Sequence, residues 1–150
     1  MSEVIILQGI QGSGKSTWAL DWVNEKPNSR IRVNRDSIRK MFGKYWVPDR
    51  EPIVSIIENN IIKESILKEY DVVIDDMNLN NKTITSLVDL IKNINPTASI
   101  KYKLFNTPLV DCIIRLGDRN KNLPSYERIP ISVLVETYNK YRDEYNLRFV

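Results

Sequence analysis

The sequence predicts an α/β protein in which a parallel sheet of about four strands carries helices on both faces. Short apolar runs alternate along the chain with longer segments of helical periodicity, a pattern typical of βαβ units. A glycine-rich segment, residues 9–16, separates the first strand from the first helix. The length of 150 residues suits a single domain with a sizeable core, so we expect one domain over residues 1–150.

Each element has its own signature. Residues 4–7 (VIIL) and 72–74 (VVI) are continuous apolar runs, as expected for central strands. The two remaining strands are predicted at residues 30–33 and 100–105, and the helices at residues 15–23, 36–42, 53–69, 81–94, 108–117 and 131–146. Over residues 53–69, the near-helical spacing of Ile53, Ile56, Ile57, Ile61 and Ile66 predicts a long helix. In such a fold, ligands bind at the carboxyl ends of the strands.

The segment GIQGSGKS at residues 9–16 is a complete G-x-x-x-x-G-K-[ST] phosphate-binding loop between a strand and a helix. Its glycines let backbone N–H groups surround a phosphate, while Lys15 would reach the β- and γ-phosphates and Ser16 would hold Mg²⁺. A turn that only joins a strand to a helix needs neither side chain. The motif therefore predicts a P-loop kinase fold that binds a nucleoside triphosphate. The predicted donor-binding residues of the loop are Gly12, Ser13, Gly14, Lys15, Ser16 and Thr17.

Composition excludes several classes of site. The sequence has no histidine, so any general base must be a carboxylate and the usual zinc sites are absent. It has one cysteine, Cys112, whose apolar neighbours predict a packed thiol; the lack of a second cysteine fits a reducing cytoplasm. No apolar run reaches membrane-spanning length, and we expect neither a signal peptide nor a membrane partner. The net charge of +3 is a mild basic excess, which is weak evidence for a polyanionic partner.

Charged residues follow the second strand, in the segment 34–39 (NRDSIR). Asp36 would lie at the carboxyl edge of the sheet, where it could take a proton from an acceptor hydroxyl; the alternative is a helix N-cap. Arg39 follows on the same helix face, where it could bind a phosphate on the acceptor or be a solvated side chain. We expect Asp36 to be catalytic and Arg39 to bind substrate.

An acidic pair ends the third strand and opens the segment 75–80 (DDMNLN). A carboxylate here suits the Mg²⁺ side of a phosphoryl-transfer site, although an Asp pair could equally belong to a turn. Asn78 and Asn80 could orient substrate or cap the next helix. Of these residues, Asp76 and Asn78 are predicted to bind substrate.

Arg115 and Arg119 lie four residues apart, near the end of a predicted helix. They could close over the triphosphate and stabilise charge during phosphoryl transfer, or they could complement the helix dipole. We assign both to the donor, and Arg119 also to catalysis. The polar segment that follows predicts a lid at about residues 115–130, made of a helix, a flexible tip and a returning helix.

The order of these elements resembles the 5′-kinase domain of the phage polynucleotide kinase family. Four matching segments span nearly the whole chain: the phosphate loop with its trailing STWA, the NRDxxR element, the DMNLN element, and the stretch from Phe105 through Pro108, Arg115 and Arg119 to Tyr138. The phosphate loop is generic, whereas the NRDxxR and DxNLN elements are more specific to the family.

This resemblance implies a transfer of the γ-phosphate of ATP, with Mg²⁺, to the 5′-hydroxyl end of single-stranded DNA or RNA. It implies Asp36 as the general base for that hydroxyl and Arg39 as a contact to the acceptor phosphate. Asp76 would support the metal and substrate side, and Arg119, assisted by Arg115, would act on the transferred phosphoryl group. The implied location is the cytoplasm, of the host if the protein is phage-encoded.

Two features depart from the family. Many members of the family also have a phosphatase domain, which is marked by an Asp-x-Asp-x-Thr motif. This sequence has no such motif, so we expect kinase activity without 3′-phosphatase activity. Residues 41–53 match poorly; there Tyr45 and Trp46 could stack on nucleobases or plug a gap between helices.

A P-loop kinase for a small molecule, such as a nucleoside, a sugar, an antibiotic or a sugar nucleotide, remains an alternative. A nucleotide-dependent switch is a further class, against which the sequence has no Asn-Lys-x-Asp element.

Overall fold

The computed structural model describes residues 2–150, in which four parallel strands form a single sheet with helices on both faces. The strands are β1 (Glu3–Gln8), β2 (Arg30–Val33), β3 (Asp71–Ile74) and β4 (Ser99–Leu104), and their order in the sheet is β2-β3-β1-β4. Val4 of β1 lies opposite Val72 on one side and Ile100 on the other. The predicted α/β class, with its parallel sheet of four strands, is confirmed.

Six α-helices connect and cover these strands in the described part of the chain. They are α1 (Lys15–Glu25), α2 (Arg35–Lys40), α3 (Glu51–Leu67), α4 (Asn81–Ile94), α5 (Leu109–Lys121) and α6 (Ile131–Tyr145), with short 3₁₀ turns at Pro48–Arg50 and Ser125–Glu127. None of the helices within residues 2–150 combines the length and the apolar character needed to cross a membrane.

The pleat of the central strands separates the core into two layers. Val4 and Ile6 pack with α3 and α4 on one face, whereas Ile5 and Leu7 pack with α1 on the other. This alternation follows because successive side chains of a strand point to opposite faces of the sheet. Continuous apolar runs therefore belong to strands that are covered on both sides.

The long helix predicted over residues 53–69 is α3, but most of the isoleucines that predicted it lie outside its buried stripe. Ile53 and Ile56 are 51% and 60% exposed, while Val54, Glu58, Ile62 and Ile66 are buried. The buried residues recur at every fourth position, which keeps them on one side of a helix, whereas the predicted isoleucines spread over a wider arc. The helix therefore turns a carboxylate, Glu58, inward beside the cavity described below.

A further apolar cluster lies behind the phosphate loop, where α5 packs against α6. Its buried members are Ile10, Leu79, Leu109, Cys112, Leu116, Ile129, Leu134 and Tyr138. The Cys112 thiol is buried, as predicted. Burial also raises the pKa of this thiol, so the side chain behaves as a small apolar group.

The predicted lid region is helix, turn and helix in that order, but the first helix is longer than expected. Residues 118–121, assigned to the polar tip, continue α5 as far as Lys121. The remaining turn is tied back to that helix: the side-chain amide of Asn120 donates to the carbonyl of Ile129 (2.7 Å) and accepts from its N–H (3.3 Å). The flexibility of the tip stays a prediction.

Candidate active site

A cavity of about 620 Å³ opens at the carboxyl ends of the strands. Its wall contains the phosphate loop and the segments that follow β2 and β3, since the carboxyl ends of parallel strands meet at one edge of the sheet. All predicted site residues except Arg115 contribute to this wall: Gly12, Ser13, Gly14, Lys15, Ser16, Thr17, Asp36, Arg39, Asp76, Asn78 and Arg119. The sequence motifs thus meet in one place.

The glycines of the phosphate loop meet two different demands. Gly12 and Gly14 have left-handed φ values of 78° and 102°, which side chains other than glycine rarely adopt. A Cβ atom at Gly12 would also lie 2.9 Å from the carbonyl oxygen of Cys112 on α5. The loop therefore needs glycine at position 12 both for its turn and for its close contact with α5.

The Lys15 ammonium is hydrogen-bonded to the first residues of the phosphate loop. Its Nζ donates to the carbonyl oxygens of Gly9 (2.8 Å) and Ile10 (2.9 Å) and is buried. Burial lowers the pKa of Lys15 to about 8, although the negative charges of Asp75, Asp36 and Asp76 act in the opposite direction. A triphosphate in the loop would bring negative oxygens to this group and favour its charged form.

Asp75 is linked through Arg32 to the Ser16 hydroxyl, which is predicted to bind metal. Its Oδ2 accepts a hydrogen bond from Nε of Arg32 (2.8 Å), and Nη2 of Arg32 is 3.5 Å from the Ser16 Oγ. The side chain is 1% exposed, and its Oδ1 has no hydrogen-bond partner within residues 2–150. Arg32 was not among the predicted site residues. The one sign of its role in the sequence was a charged residue within a predicted strand.

This arrangement fits a magnesium ion. The unpartnered Oδ1 of Asp75 and the hydroxyl of Ser16, two residues that line the cavity, are hard oxygen donors of the kind that Mg²⁺ prefers. No group of three or more His, Cys, Asp or Glu side chains able to hold a metal occurs in the described residues. Mg²⁺ is commonly held by one or two protein groups, with substrate phosphates and water completing its shell.

Asp36 lies in the first turn of α2, half exposed to the cavity, with its side chain 38% accessible. Its Oδ1 accepts hydrogen bonds from Nη1 of Arg39 (2.7 Å) and from the Tyr45 hydroxyl (3.0 Å). The alternative of a helix N-cap is wrong, because Asn34 is the cap and accepts from the N–H of Ser37 (2.8 Å). Asp36 is therefore not needed to cap the beginning of α2.

Arg39 is paired on every side of its guanidinium. Nε and Nη2 donate to the two carboxylate oxygens of Glu51, and Nη1 donates to Asp36. The hydrogen bond from Arg39 keeps the pKa of Glu51 below its ordinary value. Its guanidinium carbon also lies 5.6 Å and 5.5 Å from the ring centres of Tyr45 and Trp46. Arg39 is thus a fixed group of the cavity wall and not a solvated arginine.

The two aromatic residues of the poorly matching segment differ from each other. Tyr45 packs against the cluster behind the phosphate loop, whereas Trp46 is about half exposed. The plug alternative fits Tyr45. The stacking alternative stays a prediction for Trp46.

Asp76 pairs with a second buried carboxyl group. Its Oδ1 accepts from the N–H of Arg35 (2.8 Å), and burial together with a hydrogen bond to Glu58 raises its pKa well above the ordinary value. Glu58 in turn accepts from Nη1 of Arg35 (3.1 Å). This cluster joins β3, α2 and α3 at the cavity wall. Sequence reasoning missed Glu58, since nothing local marks a buried glutamate in a long helix.

Asn78 and Asn80 have different contacts. Asn78 has a left-handed φ of 48°, and its amide nitrogen donates to the carbonyl oxygens of Leu7 (2.7 Å) and Ile74 (3.3 Å). Asn80 accepts from the N–H groups of Lys82 (2.9 Å) and Thr83 (3.3 Å), which confirms the capping alternative for this residue. The amide of Asn78 holds the sheet edge, and its contact with substrate stays a prediction.

The structure separates the two arginines of α5. Arg115 donates to the carbonyl oxygen of Gly12 (3.1 Å) and does not line the cavity. Arg119 lies in the cavity wall and also in the wall of a smaller neighbouring cavity of about 230 Å³, together with Ser16 and Asp36. Arg119 is exposed and makes no ion pair with another residue of the described range 2–150.

Comparison with known proteins gives one family and a consistent set of relatives. A family profile described as an AAA domain matches residues 4–143. An L-seryl-tRNA(Sec) kinase of Methanococcus maripaludis is 26% identical over 141 residues, which are 92% of this chain and 52% of that protein. The chain thus spans about half the length of this relative.

Solved structures agree on the fold. A chain of the Pnkp1/Rnl/Hen1 RNA repair complex superposes with a TM-score of 0.82 at 23% identity, over 99% of this chain and 47% of that one. A gluconokinase from Sinorhizobium meliloti 1021 superposes with a TM-score of 0.52 at 21% identity, over 90% and 74% of the two chains. With its phosphate loop, its parallel sheet and a profile that covers nearly its whole length, the chain belongs to this AAA-domain family and has the P-loop kinase fold.

Proposed function

We propose that the protein is an ATP-dependent polynucleotide 5′-hydroxyl kinase. The observation that carries this proposal is the placement of Asp36 and Arg39 side by side in the wall that also holds the phosphate loop. A carboxylate and a phosphate-binding guanidinium beside the donor are what an acceptor with both a hydroxyl and a phosphate requires.

The donor would lie in the phosphate loop. Backbone N–H groups of residues 12–17 and the charged Lys15 would hold the β- and γ-phosphates of ATP. Ser16 and the unpartnered Oδ1 of Asp75 would hold Mg²⁺, which when bound supplies positive charge to the triphosphate. Arg119, which lines the cavity, would stabilise the transferred phosphoryl group.

Transfer would begin at the acceptor hydroxyl. Its oxygen forms the new bond to the γ-phosphorus while the bond to the β–γ bridging oxygen breaks and ADP leaves. The hydroxyl proton passes to the Asp36 carboxylate. Arg39 would bind the phosphate next to the 5′-hydroxyl of the acceptor. This contact would orient the hydroxyl for transfer.

Two relatives support a nucleic-acid acceptor. One is named as a kinase of seryl-tRNA, and the other belongs to an RNA repair complex. Since a shared fold does not fix the substrate, the acceptor has to be tested directly. A small-molecule kinase is the second candidate, because Glu51 and Asp36 already neutralise Arg39. An acceptor without a phosphate would leave that ion pair intact.

The test is transfer of label from γ-³²P-ATP with Mg²⁺ to four acceptors: a 5′-hydroxyl DNA oligonucleotide, the matching RNA, a 3′-nucleoside monophosphate and a plain nucleoside. Label on an oligonucleotide and on the 3′-monophosphate, but not on the nucleoside, is the expected result. Label on the nucleoside alone would contradict the proposal and favour the second candidate. An oligonucleotide that already carries a 5′-phosphate is the matched control, and Lys15→Met shows whether the activity belongs to this protein.

A further inference from the structure

Tyr45 lies in the segment that matches the polynucleotide kinase family poorly, yet it contacts the predicted base. Its hydroxyl donates to Oδ1 of Asp36 at 3.0 Å, and its side chain contributes to the walls of both cavities. A tyrosine hydroxyl within hydrogen-bond distance of a carboxylate affects where that carboxylate points and how readily it is protonated. Tyr45 therefore has a contact that a residue merely filling space does not need.

The position of this hydroxyl is fixed from several sides. The backbone N–H of Tyr45 donates to the carbonyl oxygen of Tyr126 in the lid turn, at 2.7 Å. Its ring packs against the apolar cluster behind the phosphate loop, and the Arg39 guanidinium lies 5.6 Å from the ring centre. Tyr45 is thus held by the lid, the core and α2 together.

These contacts divide the two oxygens of Asp36 between different tasks. Oδ1 accepts from both Arg39 and Tyr45, while no donor within residues 2–150 reaches Oδ2. Burial and the negative charge of Asp36 raise the pKa of Tyr45, so its hydroxyl keeps its proton at neutral pH and acts as a donor. Oδ2 is left for the hydroxyl of an acceptor.

We propose that Tyr45 is a positioning residue for the phosphoryl transfer: together with Arg39 it holds Oδ1 of Asp36, so that Oδ2 faces the acceptor hydroxyl. This inference rests on the proposed role of Asp36 as the base. It goes beyond the polynucleotide assignment, because the contact serves any acceptor whose hydroxyl meets Asp36.

The kinetic test is Tyr45→Phe, which keeps the ring and removes the hydroxyl. We expect kcat to fall about 10- to 100-fold, the scale of one hydrogen bond to a charged group, with the KM for ATP unchanged. The acid limb of the kcat/KM profile should move to higher pH, because the charged carboxylate has lost a donor. Tyr102→Phe, at a half-exposed position on β4, is the matched control. An unchanged kcat and pH profile in Tyr45→Phe would overturn the proposal.

A second measurement does not depend on the acceptor. Denaturant unfolding of Tyr45→Phe, Asp36→Ala and the double variant should give midpoint shifts that are smaller in the double variant than the sum of the singles. Additive shifts would overturn the Tyr45 proposal even if oligonucleotides are phosphorylated. A wild-type protein that labels only a nucleoside would overturn the polynucleotide assignment instead, and Tyr45→Phe is then measured with that nucleoside.

Discussion

The two ends of the cavity are built in different ways. The phosphate loop of the donor end is one continuous stretch, residues 9–17, in which Lys15 donates to carbonyl oxygens only five and six residues away. At the acceptor end, Asp36, Arg39, Tyr45 and Glu51 come from two helices and the segment between them, and side-chain hydrogen bonds join them. A change at the donor end should remove a phosphate contact, whereas a change at the acceptor end should rearrange several partners.

The largest expected effect separates the two arginines of α5. Arg119→Ala should lower kcat by about 10³- to 10⁵-fold, the range known for an arginine that stabilises the transferred phosphoryl group. Arg115→Ala, matched in residue type and helix, should have a much smaller effect because Arg115 contacts the Gly12 carbonyl and does not line the cavity. Steady-state kinetics with the best acceptor measures both. Equal losses in the two variants would contradict this division of roles.

At the acceptor end, Asp36→Asn should lower kcat by about 10²- to 10⁴-fold, since a positioned base contributes on that scale. The amide keeps the shape of the side chain and can still accept from Arg39, so folding and ATP binding should be retained. Single-turnover transfer and fluorescence titration with a nucleotide analogue measure the two properties. Unchanged turnover with intact binding would remove Asp36 from the mechanism.

A smaller effect is expected at Glu51, which pairs with Arg39. Glu51→Gln should release the guanidinium and lower the KM of a phosphate-bearing acceptor by up to about fivefold, the scale of a partly exposed ion pair. The KM of a plain nucleoside should not change. A KM that falls equally for both acceptors would show that Arg39 does not recognise the phosphate.

The smallest effect concerns protons taken up at the donor end. The pKa of Lys15 is lowered to about 8 by burial, so part of the ammonium is neutral above that pH. A triphosphate raises this pKa by its negative charge, and nucleotide binding at pH 8–9 should therefore take up a fraction of about one proton. Calorimetry in two buffers of different ionisation enthalpy measures this uptake. Lys15→Arg, which stays charged, should show none.

The sequence was sufficient where the interactions are local or periodic. The alternation of apolar runs and helical segments predicted the parallel sheet, and the loop at residues 9–16 predicted the donor end. Because parallel strands share one carboxyl edge, the motifs after β2 and β3 could also be expected to meet in one cavity. The buried face of α3 could not be predicted, since its isoleucines are present on more than one side.

Asp75 and Asp76 are similar residues close together in the sequence, and so are Arg115 and Arg119. Only the tertiary structure gave the two members of each pair different environments. Asp75 accepts a hydrogen bond from Arg32 while Asp76 pairs with Glu58, and Arg119 lines the cavity while Arg115 does not. Tyr45 reaches Asp36 because the lid turn and the core hold it there. Spacing along the chain fixes the direction of a side chain relative to its own strand or helix. The partner it meets depends on how those elements pack, and that is decided by contacts between residues far apart in the sequence.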